Sequence, residues 1–405
     1  MYKKYLTFLV VLALSLTVGY VAAQDISSGI VHTDPIQAQI EKMSLEEKVG
    51  QLVMAGIDGY ENDDHSKQLI EKYHVGGFIL LKQNIKSAGQ MLRLINSLKE
   101  TNAVNKIPLF LSIDEEGGRI SRMPAEFVKI PSSQKIGELH NSRLSYQVGS
   151  IIGEELNAFG LNMNFGPVLD INSNPKNPVI GDRAFGATVD IVSELGVETM
   201  KGLQEQNIIS VVKHFPGHGD TSVDSHVGLP IVNNDLMRLK DFELLPFSEA
   251  IKNEVDAIMV AHILLPKIDS LNPATFSPTI ISDVLRKKMN FDGVVITDDM
   301  TMGAIVNNYD IGEAAVKSIN AGSDIILVCH DYDKEVAVIK AIQKAAETGA
   351  ISQDRINQSV YRVLKLKQKY NLSDATVPPV EPQWINKKIN ALYQTFPSLK
   401  GEQSH

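Results

Sequence analysis

The stretch Ile208-Ile209-Ser210-Val211-Val212-Lys213-His214-Phe215-Pro216-Gly217-His218-Gly219-Asp220-Thr221-Ser222-Val223-Asp224-Ser225-His226 joins two chemically opposite halves. Its first five residues are β-branched and apolar apart from one Ser, with no polar alternation, which is the pattern of a strand buried on both faces. Pro216, Gly217 and Gly219 then forbid regular structure, so a rigid strand runs into a long irregular loop. Residues 213–226 hold three His, two Asp and one Lys within fourteen positions. A solvated connection needs no such density of titratable groups. Two kinds of site fit it: a metal cluster, or an acid/base site for a hydroxyl-rich substrate.

The apolar half of this unit recurs along the chain. Short buried runs at 52–57, 77–81, 108–113, 162–169, 208–213, 257–261, 293–297 and 324–328 make eight expected strands. Helical spacing fills the intervals at 87–99, 142–159, 191–206, 235–252, 280–289, 311–320 and 334–347. Ser44 and Glu47 are spaced as a capping box, so a helix is expected to start there, after a helical pattern beginning at Pro35. Eight strand and helix pairs imply an α/β protein of the (β/α)8 TIM barrel type. An open doubly wound sheet is the alternative, but no dinucleotide-type glycine fingerprint follows the first strand.

A chain of 405 residues suits one barrel with trimmings, since the fold typically takes about 250 residues and more with insertions. The net charge of −9 argues against nucleic acid and anionic membrane surfaces as partners. Met1-Tyr2-Lys3-Lys4, an apolar run and the small residues Ala22-Ala23 fit a signal peptide at 1–23, so the protein is expected to be secreted or periplasmic. An uncleaved anchor is the rival. A mobile segment at 24–34, a catalytic barrel at 35–370 and a tail at 371–405 complete the expected organisation. Trp384 is expected to pack that tail on the barrel, with the polar end 401–405 loose. Cys329 is the sole cysteine, which excludes an internal disulfide.

Barrel active sites lie where strands meet the loops that follow them. The third expected strand is followed by Asp114-Glu115-Glu116-Gly117-Gly118-Arg119, the fourth by Asp170, the fifth by Lys213-His214, the sixth by His262, the seventh by Asp298-Asp299 and the eighth by His330. Six of eight strands thus deliver an ionisable group to one face. Asp298, at a strand end, is placed to attack an electrophilic carbon, while Asp299 fits a helix cap; a structural role for both is the plainer alternative. Asp224 holding His226 would give a group able to donate and accept a proton, against two solvated loop residues. Lys213 and His214 need polar partners if buried, and sugar hydroxyls would serve. His218 and Asp220 either join the site or tie the loop together. Gly117 and Gly118 imply a tight turn that leaves Arg119 or Arg122 to point inward. The loop 172–186 is long enough to wall a pocket, with Arg183 inside it. His262, His330 and Asp170 have no assigned role.

Lys213-His214-Phe215-Pro216-Gly217-His218-Gly219-Asp220-Thr221, with Asp224-Ser225-His226 downstream, resembles the signature of glycoside hydrolase family 3, in the β-N-acetylhexosaminidase branch that trims bacterial cell-wall amino sugars. Asp114 to Arg119, Asn177-Pro178-Val179-Ile180-Gly181-Asp182-Arg183-Ala184-Phe185-Gly186 and Ile296-Thr297-Asp298-Asp299-Met300 support it, so the resemblance spans 43–370. Glu115 stands where that motif often carries Gln. The resemblance implies a retaining exo-β-N-acetylglucosaminidase acting on terminal N-acetylglucosamine of muropeptide or chitin-derived saccharides. It makes Asp298 the nucleophile, His226 the general acid/base and Asp224 its partner. Asp114, Arg122, Arg183, Lys213 and His214 fall on positions that hold the sugar, and no metal or cofactor is implied. Other branches take their acid from a second domain, which leaves the loop histidine as the acid expected here. The partner is then an amino-sugar oligosaccharide, with no nucleic acid and no membrane insertion of the mature protein. The rivals are a metal-dependent barrel hydrolase using His214, His218, Asp220, Asp224 and His226, a non-catalytic sugar-binding barrel, and a phosphorolytic variant of the same site.

Overall fold

The computed structural model of the protein describes residues 34–400. The expected signal peptide, residues 24–33 of the mobile segment and the end 401–405 lie outside them. The chain divides into two compact units between Lys42 and Met43. In the first, the helix Pro35–Ile40 starts with Pro in its first turn and with the Asp34 carboxylate accepting the Ile36 N–H. The second unit opens on the helix Leu45–Gly50, whose Ser44 and Glu47 form the reciprocal capping box expected of their spacing.

Eight parallel strands follow: β1 (Val53–Ala55), β2 (Gly77–Leu80), β3 (Phe110–Ile113), β4 (Met163–Asn164), β5 (Ile209–Phe215), β6 (Ala257–Val260), β7 (Val294–Thr297) and β8 (Ile326–Val328). They pair in chain order from β1 to β7, and β8 pairs with β1. The ring closes where Ile296 bridges Ile325 and the Thr297 N–H donates to the Ile325 carbonyl at 3.0 Å. This is the (β/α)8 TIM barrel. Each strand is buried along its whole length because helices cover the outside and side chains fill the inside. Met54, Ile79, Phe110, Met163, Val211, Met259, Ile296 and Leu327 supply the inner core from all eight strands. Val363, Leu366 and Tyr370 at the end of the helix Gln353–Lys369 join that core from below. Lys367 of the same helix is buried and donates to the Gly76 and Pro108 carbonyls, which lie just before β2 and β3.

Several elements differ from their sequence-based expectation. The fourth strand keeps only two continuous ladder residues of an expected eight-residue run, because Pro167 has no N–H to donate, and pairing with β5 resumes only as the single bridge of Val168 to Lys213. Asn162 compensates with its side chain, accepting the Leu111 N–H and donating to the Leu109 carbonyl, both at 2.9 Å. The fifth strand instead runs on through Lys213 and His214 to Phe215, with a register shift against β6 between Val212 and Phe215. The expected helix 235–252 is two helices, Leu236–Asp241 and Leu245–Lys252, the second starting with Pro246 in its first turn. The segment before β7 is wound as a π-helix, Thr279–Lys288.

Beyond Lys369 the described tail carries the helix Pro382–Thr395, followed by the 3-10 turn Pro397–Leu399. Trp384 does not anchor it: the indole is 43% exposed and lies under Lys388, 4.9 Å from the ring. The buried stripe is Ile385, Ile389 and Leu392, spaced i, i+4, i+7, which leaves Trp384 on the flank of that stripe. Lys388 meets Glu154 of the helix Ser142–Ala158 at 2.6 Å, and the Tyr393 hydroxyl donates to the Lys129 carbonyl at 2.8 Å.

Candidate active site

The C-terminal ends of the strands enclose a cavity of about 290 Å³. Asp114, Arg122, Arg183, Lys213, His214, His226 and Asp298 all line it, over an apolar floor that includes Phe165, Met259 and Leu327. Asp224 stands outside the lining and reaches the site through His226. Every expected site residue is thus drawn to one end of the barrel.

Asp298 follows β7, and the Asp299 N–H donates to its Oδ1 at 2.8 Å. Burial works to raise the Asp298 pKa, but the neighbouring imidazoles of His262 and His214, the Asp299 N–H and Lys213 outweigh it and hold the carboxyl below its ordinary value. The group is therefore ionised at neutral pH. Asp299 is structural: its Oδ1 accepts the Thr301 and Cys329 N–H groups and its Oδ2 accepts the Thr301 hydroxyl at 2.6 Å. His262 is buried behind this strand end, with Nε2 donating to the Asp299 carbonyl at 2.9 Å and Nδ1 facing the Thr275 hydroxyl at 2.7 Å.

His226 sits on the loop after β5 with its side chain 66% exposed. Asp224 Oδ1 accepts both the His226 backbone N–H at 2.9 Å and Nδ1 at 2.7 Å, which leaves Nε2 as the nitrogen facing outward from the pair. Burial raises the Asp224 pKa, while its bonds to the His226 N–H and ring lower it to a net value below the ordinary one. The loop is docked on the turn that follows Asp298, since the Gly303 and Ala304 N–H groups donate to the His226 and Ser225 carbonyls at 3.2 and 3.0 Å.

A four-charge cluster built on the buried Lys213 and Glu116 forms the opposite wall. Lys213 Nζ meets Asp114 Oδ1 at 2.6 Å and Glu116 Oε1 at 2.7 Å, and Glu116 receives a two-pronged contact from Arg183 at 2.8 Å on each oxygen. Two cations and two anions balance, which is how charges this deep are kept. Burial opposes ionisation of Glu116, but Arg183 and Lys213 drive its carboxyl far below the ordinary range. Arg183 also reaches His214 Nε2 at 3.3 Å; a guanidinium can only donate, so His214 Nδ1 is the donor to Asp170 Oδ2 at 2.6 Å. Asp170 also accepts the His218 N–H at 2.6 Å.

His218 resolves toward its structural alternative. Its Nδ1 and Nε2 face the Thr221 and Ser225 hydroxyls, and burial together with His214 pushes its pKa down to about 4. Asp220 accepts from Asn234 at 3.1 Å. Arg119 turns away to Asp182 and the Val179 and Ile180 carbonyls, so Arg122 is the arginine that points inward. Val179 and Arg183 bring the loop 172–186 into the wall.

Residues 44–366 match the glycosyl hydrolase family 3 N-terminal domain. The chain belongs to glycosyl hydrolase family 3. Among related proteins, β-hexosaminidase A of Pseudoalteromonas piscicida is 36% identical over 334 residues, covering 76% of this chain and 56% of that protein. The β-hexosaminidase of Nitrosomonas eutropha is 33% identical over 311 residues, 75% of this chain and 88% of that one. A solved family 3 β-N-acetylglucosaminidase from Paenibacillus sp. str. FPU-7 superposes with a TM-score of 0.83 at 42% identity, covering 87% of this chain and 68% of that chain. The chain therefore spans little more than half the length of the first of these relatives.

Within this family 3 site, two members escaped the sequence reading. Glu116 links Lys213 to Arg183, and its signal was present: it lies two residues beyond Asp114, on the same side of an extended chain. Asp170, which carried no assigned role, orients His214 and caps the start of the loop through His218, a function that only the folded path of β5 brings within reach.

Proposed function

We propose that the protein is a retaining exo-β-N-acetylglucosaminidase, releasing terminal N-acetylglucosamine from cell-wall muropeptides or chitin-derived saccharides. The observation that carries this reading is the placement of Asp298, kept ionised, and His226, backed by Asp224, on one cavity of about 290 Å³ that suits a single pyranose. The names of the relatives support the amino-sugar class. The N-terminal segment fits export and action outside the cytoplasm.

In the first step His226 Nε2–H protonates the glycosidic oxygen while an Asp298 oxygen attacks the anomeric carbon, so the C–O bond to the leaving group breaks as the glycosyl–Asp298 ester forms. Asp224 on Nδ1 orients the ring. In the second step neutral His226 takes a proton from water, the hydroxyl bonds to the anomeric carbon and Asp298 leaves as carboxylate. Asp114, Lys213, His214, Arg122 and Arg183 hold the sugar by its hydroxyl and acetamido groups. The test is hydrolysis of an aryl N-acetyl-β-glucosaminide beside the aryl β-glucoside. Turnover of the first with retention of configuration supports the reading; inversion, or preference for the glucoside, overturns it.

The metal-dependent alternative is disfavoured because His214 and His218 already spend both ring nitrogens on protein partners. Among the described residues, Asp58, Asp63 and His65 bring ligand atoms within 4.8 Å of one another, and these lie outside that loop. Loss of activity on exhaustive chelation would restore it. Product analysis with and without phosphate separates hydrolysis from phosphorolysis.

A further inference from the structure

Beside the active site lies a second cavity, of about 420 Å³. It forms where the chain after β3 turns back toward the helix Ser142–Ala158. Gly117 and Gly118, with φ of 81° and 57°, make that turn. Residues 123–130 supply the outer wall, and the tail helix Pro382–Thr395 braces it from outside: Asn386 accepts the Val128 N–H and donates to the Glu126 carbonyl, both at 2.8 Å. Lys82 and Arg122 line both cavities, so the two share a wall.

Two carboxyl groups supply its inner end. Alternation along the extension of β3 sends Asp114 and Glu116 to the active-site cavity and Glu115 to this one. Glu155 reaches it from the helix, one residue past Glu154, which turns instead to Lys388. Glu115 and Glu155 are each 1% exposed. Glu115 Oε2 accepts the Arg122 N–H at 2.7 Å and the Met123 N–H at 3.3 Å, bonds that favour its ionised form. Its Oε1 is buried without a partner, as are Glu155 Oε2 and Arg122 Nε. Polar atoms at this depth are costly to leave unmet.

The character of the lining changes outward. Met123, Phe127 and Ile130 give buried apolar sides. Lys82 and Lys129 stand exposed at the mouth, neither paired with a carboxylate among the described residues. An anionic interior, apolar sides and a cationic mouth call for a ligand that carries an ammonium, an apolar body and a carboxylate. We infer that this cavity is a binding site for a zwitterionic amino acid or dipeptide with an apolar side chain, its ammonium held by Glu115 and Glu155 and its carboxylate by Arg122 and the lysines of the mouth. The volume falls within the range of about 300–1,000 Å³ usual for small-ligand sites. A bare metal ion would leave most of that space, and the whole apolar lining, unused. Burial, then the charges of Glu115 and Glu154, push Glu155 well above the ordinary carboxylate range, and an ammonium placed beside it would draw it back. Occupation is measured by binding alone and so does not depend on the catalytic reading.

The test is calorimetric titration and thermal melting of the whole protein at neutral pH with L-leucine, D-leucine and L-leucyl-L-alanine. Beside them run N-acetyl-L-leucine, which lacks the ammonium, and L-leucinamide, which lacks the carboxylate. At least one zwitterion should bind with a Kd of about 1 mM or tighter, and both blocked compounds at least about tenfold more weakly. Glu155→Gln keeps the shape and removes the charge, so it should weaken that binding by about tenfold or more. Ala125 lines the cavity from an exposed position, and Ala125→Trp should close it with a similar loss, which decides the matter if the first variant does not fold. No heat and no shift in Tm with any of the three zwitterions up to about 10 mM overturns the proposal and leaves the cavity to solvent. Equal binding of the blocked compounds, or binding unchanged in a folded variant, overturns it too. So does a rise in Tm with magnesium or calcium ions but with none of the zwitterions, which would assign the carboxyls to a bare cation.

Discussion

Asp298 and His226 are held by opposite means, one by a buried electrostatic pocket and the other by a single carboxylate at an open rim. Asp298→Asn should lower kcat by about a thousandfold or more while leaving the affinity for N-acetylglucosamine within a few fold, because the amide keeps the shape and loses the nucleophile. Retained turnover in a preparation free of deamidated protein would remove the assignment. His226→Ala should cost far more on natural saccharides than on an aryl glycoside whose leaving group needs no proton, and equal losses would count against the acid/base role. Because the folded pKa of Asp298 is depressed, its ionised form persists below the ordinary 3.8. Its stabilising contribution is present above that value and is lost as pH falls through the folded one, so the acid limb of kcat/KM set by this group should fall below 3.8. A limb at pH 5 in protein that circular dichroism shows to be folded would contradict it. At this scale the sequence was informative wherever a polar residue ended an apolar run, as with Asp298, Lys213 and His214. It placed Asp170 and Glu116 at strand ends but gave neither a role, because what they do comes from partners distant in the chain.

The loop carrying His226 depends on a neighbouring element, the turn and short helix Gly303–Val306 after β7. A Cβ on Gly303 would lie 2.6 Å from the His226 carbonyl oxygen and 2.9 Å from that of Val227, both backbone atoms that cannot rotate aside. Gly303→Ala should therefore push the loop outward and cut kcat on substrates needing an acid by about tenfold or more, with a smaller loss on activated aryl glycosides. Equal activity on both classes at the wild-type level would show that the loop's docking is unimportant. The strands were legible as short, mostly apolar runs and all eight are present. Their ends were less so. Pro167 shortened β4, while β5 continued through a Lys and a His that look like loop residues until their buried partners are known.

Across the whole molecule, the barrel separates a charged working end from a stability-bearing opposite end. Just before β8, the fully buried Asp324 accepts from Arg286 at 2.5 Å, Arg355 at 3.0 Å and Arg362 at 3.4 Å, and from the Val295 N–H at 3.0 Å. Asp324→Ala would strand these cations and should cost about 3–5 kcal/mol, read as a marked fall in Tm with little change in the KM of whatever protein remains folded. A Tm within experimental error of wild type would contradict this. Nothing local marked Asp324, because its arginines come from two different helical segments. The barrel, by contrast, followed from repetition alone. The union of Asp298 and His226 over one cavity is the feature on which the chemistry depends, and a slow 2-fluoro glycoside tests it most directly by mass spectrometry of the digested protein. The expected result is one sugar bonded to Asp298, accumulating in wild type and absent from Asp298→Asn. A sugar found on any other residue would contradict it.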